Sequence, residues 1–177
     1  MKFFNEKAVA LVNNKVVVQF LGLAGVAIIL PFLINLQWVT GPIVNAILII
    51  TLFMVGIRSA LVLCLIPSMM ALAGGLLPGV LAPIIPFIMI GNVILVLSVD
   101  WFYNNFKNGA QGYWLGVLIG ASLKFTFLYL SVDFISGLII KQELAAKIAQ
   151  MMSWTQLATA LTGGMLAWVI IKYLKRI

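Results

Sequence analysis

Apolar runs separated by short polar or Gly/Pro-marked breaks fill this chain from about residue 16 to about residue 172. Each run is about 20 residues, the length at which a helix crosses the roughly 30 Å hydrocarbon core of a bilayer. The pattern predicts six spans, at about 16–36, 41–57, 59–77, 82–102, 112–132 and 153–172. Gly41-Pro42, Pro78-Gly79, Pro83, Asn108-Gly109 and Ser136-Gly137 mark the expected breaks. Arg58 separates the second and third spans, which otherwise read as one apolar run. The expected architecture is an all-α polytopic membrane protein: one membrane domain over residues 1–177, with six transmembrane helices in a compact bundle.

Composition agrees. Of 177 residues, 64% are hydrophobic and 8% charged, and the mean hydropathy is +1.19. A soluble domain carries about 25% charged residues, so too little polar surface is present to hold this chain in water. Six spans leave no room for a soluble domain of useful size. The N-terminal stretch MKFFNEKAVALVNNK lacks the layout of a cleavable signal, and the run after Lys15 reads as a retained first span.

The net charge of +7 reports orientation and not nucleic-acid binding, because the charges sit at the ends of apolar runs. With six spans, Lys2, Lys7, Lys15, Arg58, Lys107, Lys172, Lys175 and Arg176 share one side, against Lys141 and Lys147 on the other. This bias predicts both termini in the cytoplasm. The stretch 137–151, with Glu143 and Lys147 four apart, is expected to form a short helix at the outer surface.

One basic residue fits neither group. Lys124 lies about twelve residues into the fifth span, hence about 18 Å along its axis. An ionisable group at that depth marks a functional site by default. Its natural use is to receive a carboxylate or another anionic group. The alternative is a lysine that snorkels outward or pairs with Asp133. Other polar side chains fall at the same depth, in the outer half or midplane: Asn35, Gln37, Trp38, Asn45, Ser68, Asn92, Trp154, Thr155, Gln156 and Thr159. The asymmetry suggests a cavity open to the outside, with apolar walls, a few hydrogen-bonding groups and one cation. The candidate binding residues are Lys124, Asn92, Asn45, Trp38, Trp154, Gln156 and Thr159. For any single Asn or Thr, a plain interhelical hydrogen bond remains the simpler reading. Tyr103, Tyr113, Trp114 and Trp168 read as interfacial belt residues.

Small residues recur at four-residue spacing: Ala71/Gly75, Gly116/Gly120, Ala160/Gly164 and Gly163/Ala167. Such pairs let helices approach closely in lipid, either within the bundle or against another membrane subunit. There is no P-loop motif, no histidine and one cysteine, Cys64. ATP binding in the P-loop manner and haem, zinc or iron–sulfur sites therefore have no ligand set. No catalytic constellation, metal site or cofactor is expected.

The stretches QWVTGPIVNAILI (37–49), IPSMMALAGGLLPGVLAPIIPFIMIGN (66–92) and WTQLATALTGG (154–164), with the size and span count, resemble the substrate-binding S component of energy-coupling factor (ECF) transporters. The resemblance covers essentially all six spans. It implies a prokaryotic plasma-membrane subunit that captures a vitamin-like organic molecule from outside. It also implies two cytoplasmic ATPases and a membrane-embedded coupling protein as partners, and release of substrate when the S component topples in the bilayer. The outer loops at about 36–41 and 74–86 would gate the site. The family's Ala-x-x-x-Ala docking pattern on the first helix is replaced here by Gly22, Ala24, Gly25 and Ala27, which take the docking role by analogy. The absence of histidine points to an organic substrate over nickel or cobalt. Two other readings stand beside this one: a non-transporting scaffold or accessory subunit of a larger membrane complex, and a stand-alone facilitator or channel.

Overall fold

The computed structural model describes residues 14–34, 36–75, 79–138 and 152–174. Among them every regular element is helical. In chain order these are α1 (Asn14–Leu33), α2 (Gln37–Met54), α3 (Ile57–Leu63), α4 (Ile66–Ala73), a 3-10 turn (Gly79–Ile84), α5 (Ile85–Asn105), α6 (Gly109–Leu138) and α7 (Trp154–Tyr173). Three stretches are long and apolar enough to cross a membrane: Ala82–Asn105, Gly109–Ser131 and Trp154–Tyr173. Asn14–Leu30, Trp38–Met54 and Ile57–Ala73 are apolar but shorter, at about 17 residues the lower end of the spanning range.

Several boundaries differ from the expected ones, each for a local reason. The second and third apolar segments part at Gly56, whose φ of +116° is a conformation that side-chain-bearing residues rarely adopt. Arg58 then falls in the first turn of α3. The third segment is not one helix: it breaks at Cys64-Leu65. Pro67 has no N–H for the Leu63 carbonyl and its ring crowds that carbonyl. Gly41-Pro42 does not begin a helix, because α2 already starts at Gln37 and carries Pro42 inside it. The carbonyl left without a donor there belongs to Trp38, close to the helix start, where a proline is tolerated. The expected loop at 36–41 is correspondingly short. Ser136-Gly137 is no break either, since α6 continues to Leu138. Asn108 does start a helix: its Oδ1 accepts the Ala110 N–H at 3.1 Å, a cap for α6. The short helix expected over 137–151 lies, from residue 139 onward, outside the described residues.

Glycines set the closest helix approaches. On α6, Gly112, Gly116 and Gly120 face α5 at successive turns. A Cβ at these positions would stand 2.7 Å from the Phe102 carbonyl oxygen, 2.7 Å from Val99 Cα and 2.9 Å from Ser98 Cβ. On α7, Gly163 abuts the Pro42 carbonyl and Asn45 of α2, while Gly164 abuts Val117 of α6. Most of the small-residue pairs therefore pack within this chain. Ala71/Gly75 is the exception: Ala71 is buried, but Gly75 is exposed, with a φ of +75° just beyond α4.

Ring contacts gather one end of the molecule. Phe53 meets Tyr103 at 4.8 Å, and Tyr113 meets Trp168 at 4.8 Å. The C-terminal ends of α2, α5 and α7 thus lie beside the start of α6. At the opposite end Gly41 sits against Thr159, and Gly74 against the Phe32 ring. Lys15, Arg58, Lys107 and Lys172, four of the five described basic residues, fall toward the first end. Large apolar side chains cover much of the exterior: Val18, Leu21, Leu130 and Val169 are each more than 60% exposed. Such a surface suits hydrocarbon and not water.

Inside, the apolar core divides. A larger cluster includes Ala27, Leu48, Leu95, Val117 and Ala160. A smaller one holds Ala71, Ile84, Ile85, Leu128 and Met152. Tyr113, expected at the membrane interface, is instead wholly buried in the larger cluster. Its hydroxyl donates to the Gly164 carbonyl at 2.6 Å, so it ties α6 to α7.

Candidate functional site

Lys124 lies near the middle of α6 and is 2% exposed. It does not snorkel. Its Nζ donates to Asn45 Oδ1 of α2 and to Asn92 Oδ1 of α5, each at 2.8 Å. Both asparagines are as deeply buried as the lysine. The three residues come from three different helices and meet where the two apolar clusters adjoin.

The surrounding backbone makes this meeting possible. Gly91, one residue before Asn92, leaves a notch in α5. A Cβ there would stand 3.2 Å from Lys124 Cγ and 3.3 Å from Leu128 Cδ1. The lysine stem and Leu128 thus lie where a side chain at 91 would have been. Asn45 is backed by Gly163, where an added Cβ would come within 2.6 Å of the asparagine Cβ. Asn92 has its own anchor. Its Nδ2 donates to the Cys64 carbonyl at 3.4 Å, at the helix break that Pro67 imposes. That donation orients the amide so that its oxygen faces the lysine. A continuous chain of polar contacts therefore runs from the α3–α4 break through Asn92 and Lys124 to Asn45.

The electrostatics are unusual. A lysine ammonium has three N–H donors; two are used, and both acceptors are neutral amides. Asp100 is the sole carboxylate among the described side chains, and its oxygen accepts from Asn104 at 3.1 Å at the far end of α5. It stands eight residues beyond Asn92, about 12 Å along the helix. A buried charge is normally paired or neutralised, and the described residues supply no counter-charge here. The arrangement can hold an acceptor, and an anionic one best.

The other sequence candidates divide. Thr159 is 2% exposed and Gln156 8% exposed, on the first half of α7, beside the start of α2. The Thr159 hydroxyl donates to its own helix, to the Thr155 carbonyl at 2.7 Å, while its methyl faces Gly41. It acts at the α2–α7 contact and does not reach Lys124. Trp38 and Trp154 are exposed, at 63% and 70%. Trp154 stacks on Phe125 at 5.1 Å, and neither tryptophan is a partner of the lysine. Of the expected docking residues, Ala24 and Ala27 are buried in this chain's own core, whereas Gly22 and Gly25 face open space. Asn35, and the side chains of Gln37 and Asp133, lie outside what is described.

Sequence reasoning missed Gly91 and the Cys64 carbonyl, and it named Gly163 as a packing residue without placing it behind Asn45. A glycine directly before a polar mid-span residue was a usable signal for Gly91. No sequence signal announces which backbone carbonyl a helix break will expose. The chain matches no protein-family model, no curated protein and no solved structure.

Proposed function

We propose that this chain is the substrate-binding subunit of an ECF-type importer. In this reading it lies in the plasma membrane of a prokaryote, crosses six times with both termini in the cytoplasm, and captures a vitamin-like organic molecule from outside. The observation that carries the reading is the Lys124–Asn45–Asn92 cluster: three buried polar groups from three helices, converging with hydrogen-bonding capacity left over. A protein that only fills space or bridges subunits gains nothing from an uncompensated cation in its core, whereas a binding site does.

Two further observations support it. Of the ten buried polar or charged residues among those described, Thr40, Asn45, Ser68, Asn92, Lys124, Ser131, Thr155, Gln156 and Thr159 lie at mid-helix or toward the end away from Lys15, Arg58, Lys107 and Lys172, and Thr51 lies in the other half. With the basic end facing the cytoplasm, the polar interior faces outward, the side from which an importer loads. The exposed face of α1 around Gly22 and Gly25 leaves room for a coupling partner's helix to approach closely.

The test is affinity purification of the protein, mildly solubilised from its native membrane, with mass spectrometry of the proteins that co-elute. The expected result is two ATPase chains and one membrane-embedded coupling protein. A reproducible set of other membrane partners, without ATPases, would sink the importer reading in favour of a scaffold.

A further inference from the structure

We propose that the Lys124 site takes an organic monocarboxylate, with the carboxylate bridging Lys124 Nζ and Asn45 Nδ2. Its place in uptake rests on the importer reading; its chemistry stands on the site.

Three observations converge. First, Lys124 has a third N–H that donates to no described residue. Second, Asn45 spends its Oδ1 on the lysine, and its Nδ2 donates to no described residue. Third, the two donors are neighbours, because Nζ is 2.8 Å from the oxygen of the same amide. The nitrogen and oxygen of one amide are about 2.3 Å apart, so Nζ and Nδ2 stand within about 5 Å of one another, a gap that two carboxylate oxygens at hydrogen-bond distance can span. One carboxylate can therefore accept from both groups at once, in the manner of other two-point carboxylate contacts.

The charge selects among ligands. A neutral alcohol or amide would satisfy an N–H but leave the ammonium uncompensated. A phosphate monoester would bring up to two negative charges to a single cation in a desolvated setting, and the excess would go unpaired. One negative charge matches. Leu128, which shares the Gly91 notch with the lysine stem, belongs to the smaller apolar cluster with Ile84 and Ile85. An apolar body would rest against that side.

The experiment uses formate, the smallest monocarboxylate, labelled with carbon-13 and titrated against the purified full-length protein in detergent micelles. Wild type should broaden the formate resonance saturably, and an equal concentration of inorganic phosphate should not relieve that broadening. Lys124→Met should weaken formate binding by more than about thirtyfold, the effect of truncating one partner of a buried charge pair. Asn45→Asp nearly preserves size and places a carboxylate on the lysine permanently. It should abolish formate binding and raise the unfolding temperature, and it keeps the test decisive if Lys124→Met does not fold. The proposal is overturned by no saturable broadening in wild type, by broadening that survives undiminished in either folded variant, or by phosphate displacing formate as well as formate displaces itself. Co-elution of the ATPases reads separately: ATPases without formate binding remove the carboxylate but keep the importer, and formate binding without ATPases does the reverse.

Discussion

Tyr113 and Lys124 sit on the same helix, three turns apart, and both are fully buried polar residues at an interhelical contact. Tyr113 offers one hydroxyl, and the Gly164 carbonyl takes it at 2.6 Å; its ring packs among Phe53, Trp114 and Trp168. The group is neutral and its donor is used. Lys124 is a cation with neutral partners and an N–H to spare. Burial alone therefore does not mark a site. What separates the two residues is whether the surroundings satisfy them, and the region around Tyr113 is a finished structure while the region around Lys124 is open to a further group.

Gly163 and Gly164 hold the two regions on adjacent residues of α7, so the largest expected effect comes from filling that position. A methyl group at Gly163 would meet Asn45 Cβ at 2.6 Å and the Pro42 carbonyl oxygen at 2.7 Å. The second is backbone of α2 and yields only if the helix moves. Gly163→Ala should destabilise the protein by about 3 kcal/mol, in the range for overpacking a tight core, and should separate Asn45 from Lys124. Thermal unfolding in detergent reads the first effect and formate titration the second. A variant with unchanged unfolding would show that α2 and α7 are not held at this distance.

Lys124→Met is next, and its sign is opposite. It removes an uncompensated buried charge and keeps the apolar stem volume. The Asn45 and Asn92 oxygens lose their donor, but both stood 2.8 Å from the same nitrogen, and the Asn45 amide can turn to donate its Nδ2 to the Asn92 oxygen while Asn92 keeps its bond to Cys64. The ligand-free protein should gain about 1–2 kcal/mol, as when buried ionic groups are replaced by apolar ones. A clear loss of stability would mean that the lysine holds the helices together, which would place it beside Tyr113 as a structural residue. Tyr113→Phe should cost about 1 kcal/mol, the net value of one buried neutral hydrogen bond, and leave formate binding unchanged. A binding defect in that variant would erase the separation between the two regions.

Much of this contrast is legible in the sequence alone. Lys124 announces itself because a charge within an apolar run is costly, and Asn45 and Asn92 because they are polar side chains at the same depth. Depth along a span is nearly one-dimensional information, and hydropathy supplies it. Which way a side chain faces around its helix is not. Trp38 and Trp154 lie at a suitable level but are exposed, while Tyr113, taken for an interfacial anchor, is turned fully inward. Helix ends differ from the expected ones for a related reason. Pro42 marks the carbonyl it cannot pair, at Trp38, and a helix already begun at Gln37 tolerates that vacancy near its first turn. Pro67 imposes a break in mid-segment, and there the Asn92 side chain meets the carbonyl of Cys64, the residue after the one that the proline leaves without a donor.

The finest test is Gly91→Ala. The added methyl group meets Lys124 Cγ at 3.2 Å and Leu128 Cδ1 at 3.3 Å. Both are side-chain atoms, and a shift of a few tenths of an ångström relieves the crowding. Alanine is also favoured over glycine inside a helix by up to about 1 kcal/mol, so the two effects offset and stability should change by less than about 1 kcal/mol. The shift is nonetheless passed along the lysine stem to Nζ, which is fixed by two bonds of 2.8 Å to Asn45 and Asn92. A binding group depends on such placement more steeply than packing does. Formate affinity should therefore fall several-fold at nearly constant unfolding temperature. Loss of stability without loss of affinity would reverse the assignment, making the notch at Gly91 a packing feature and leaving the lysine's position set by the asparagines alone.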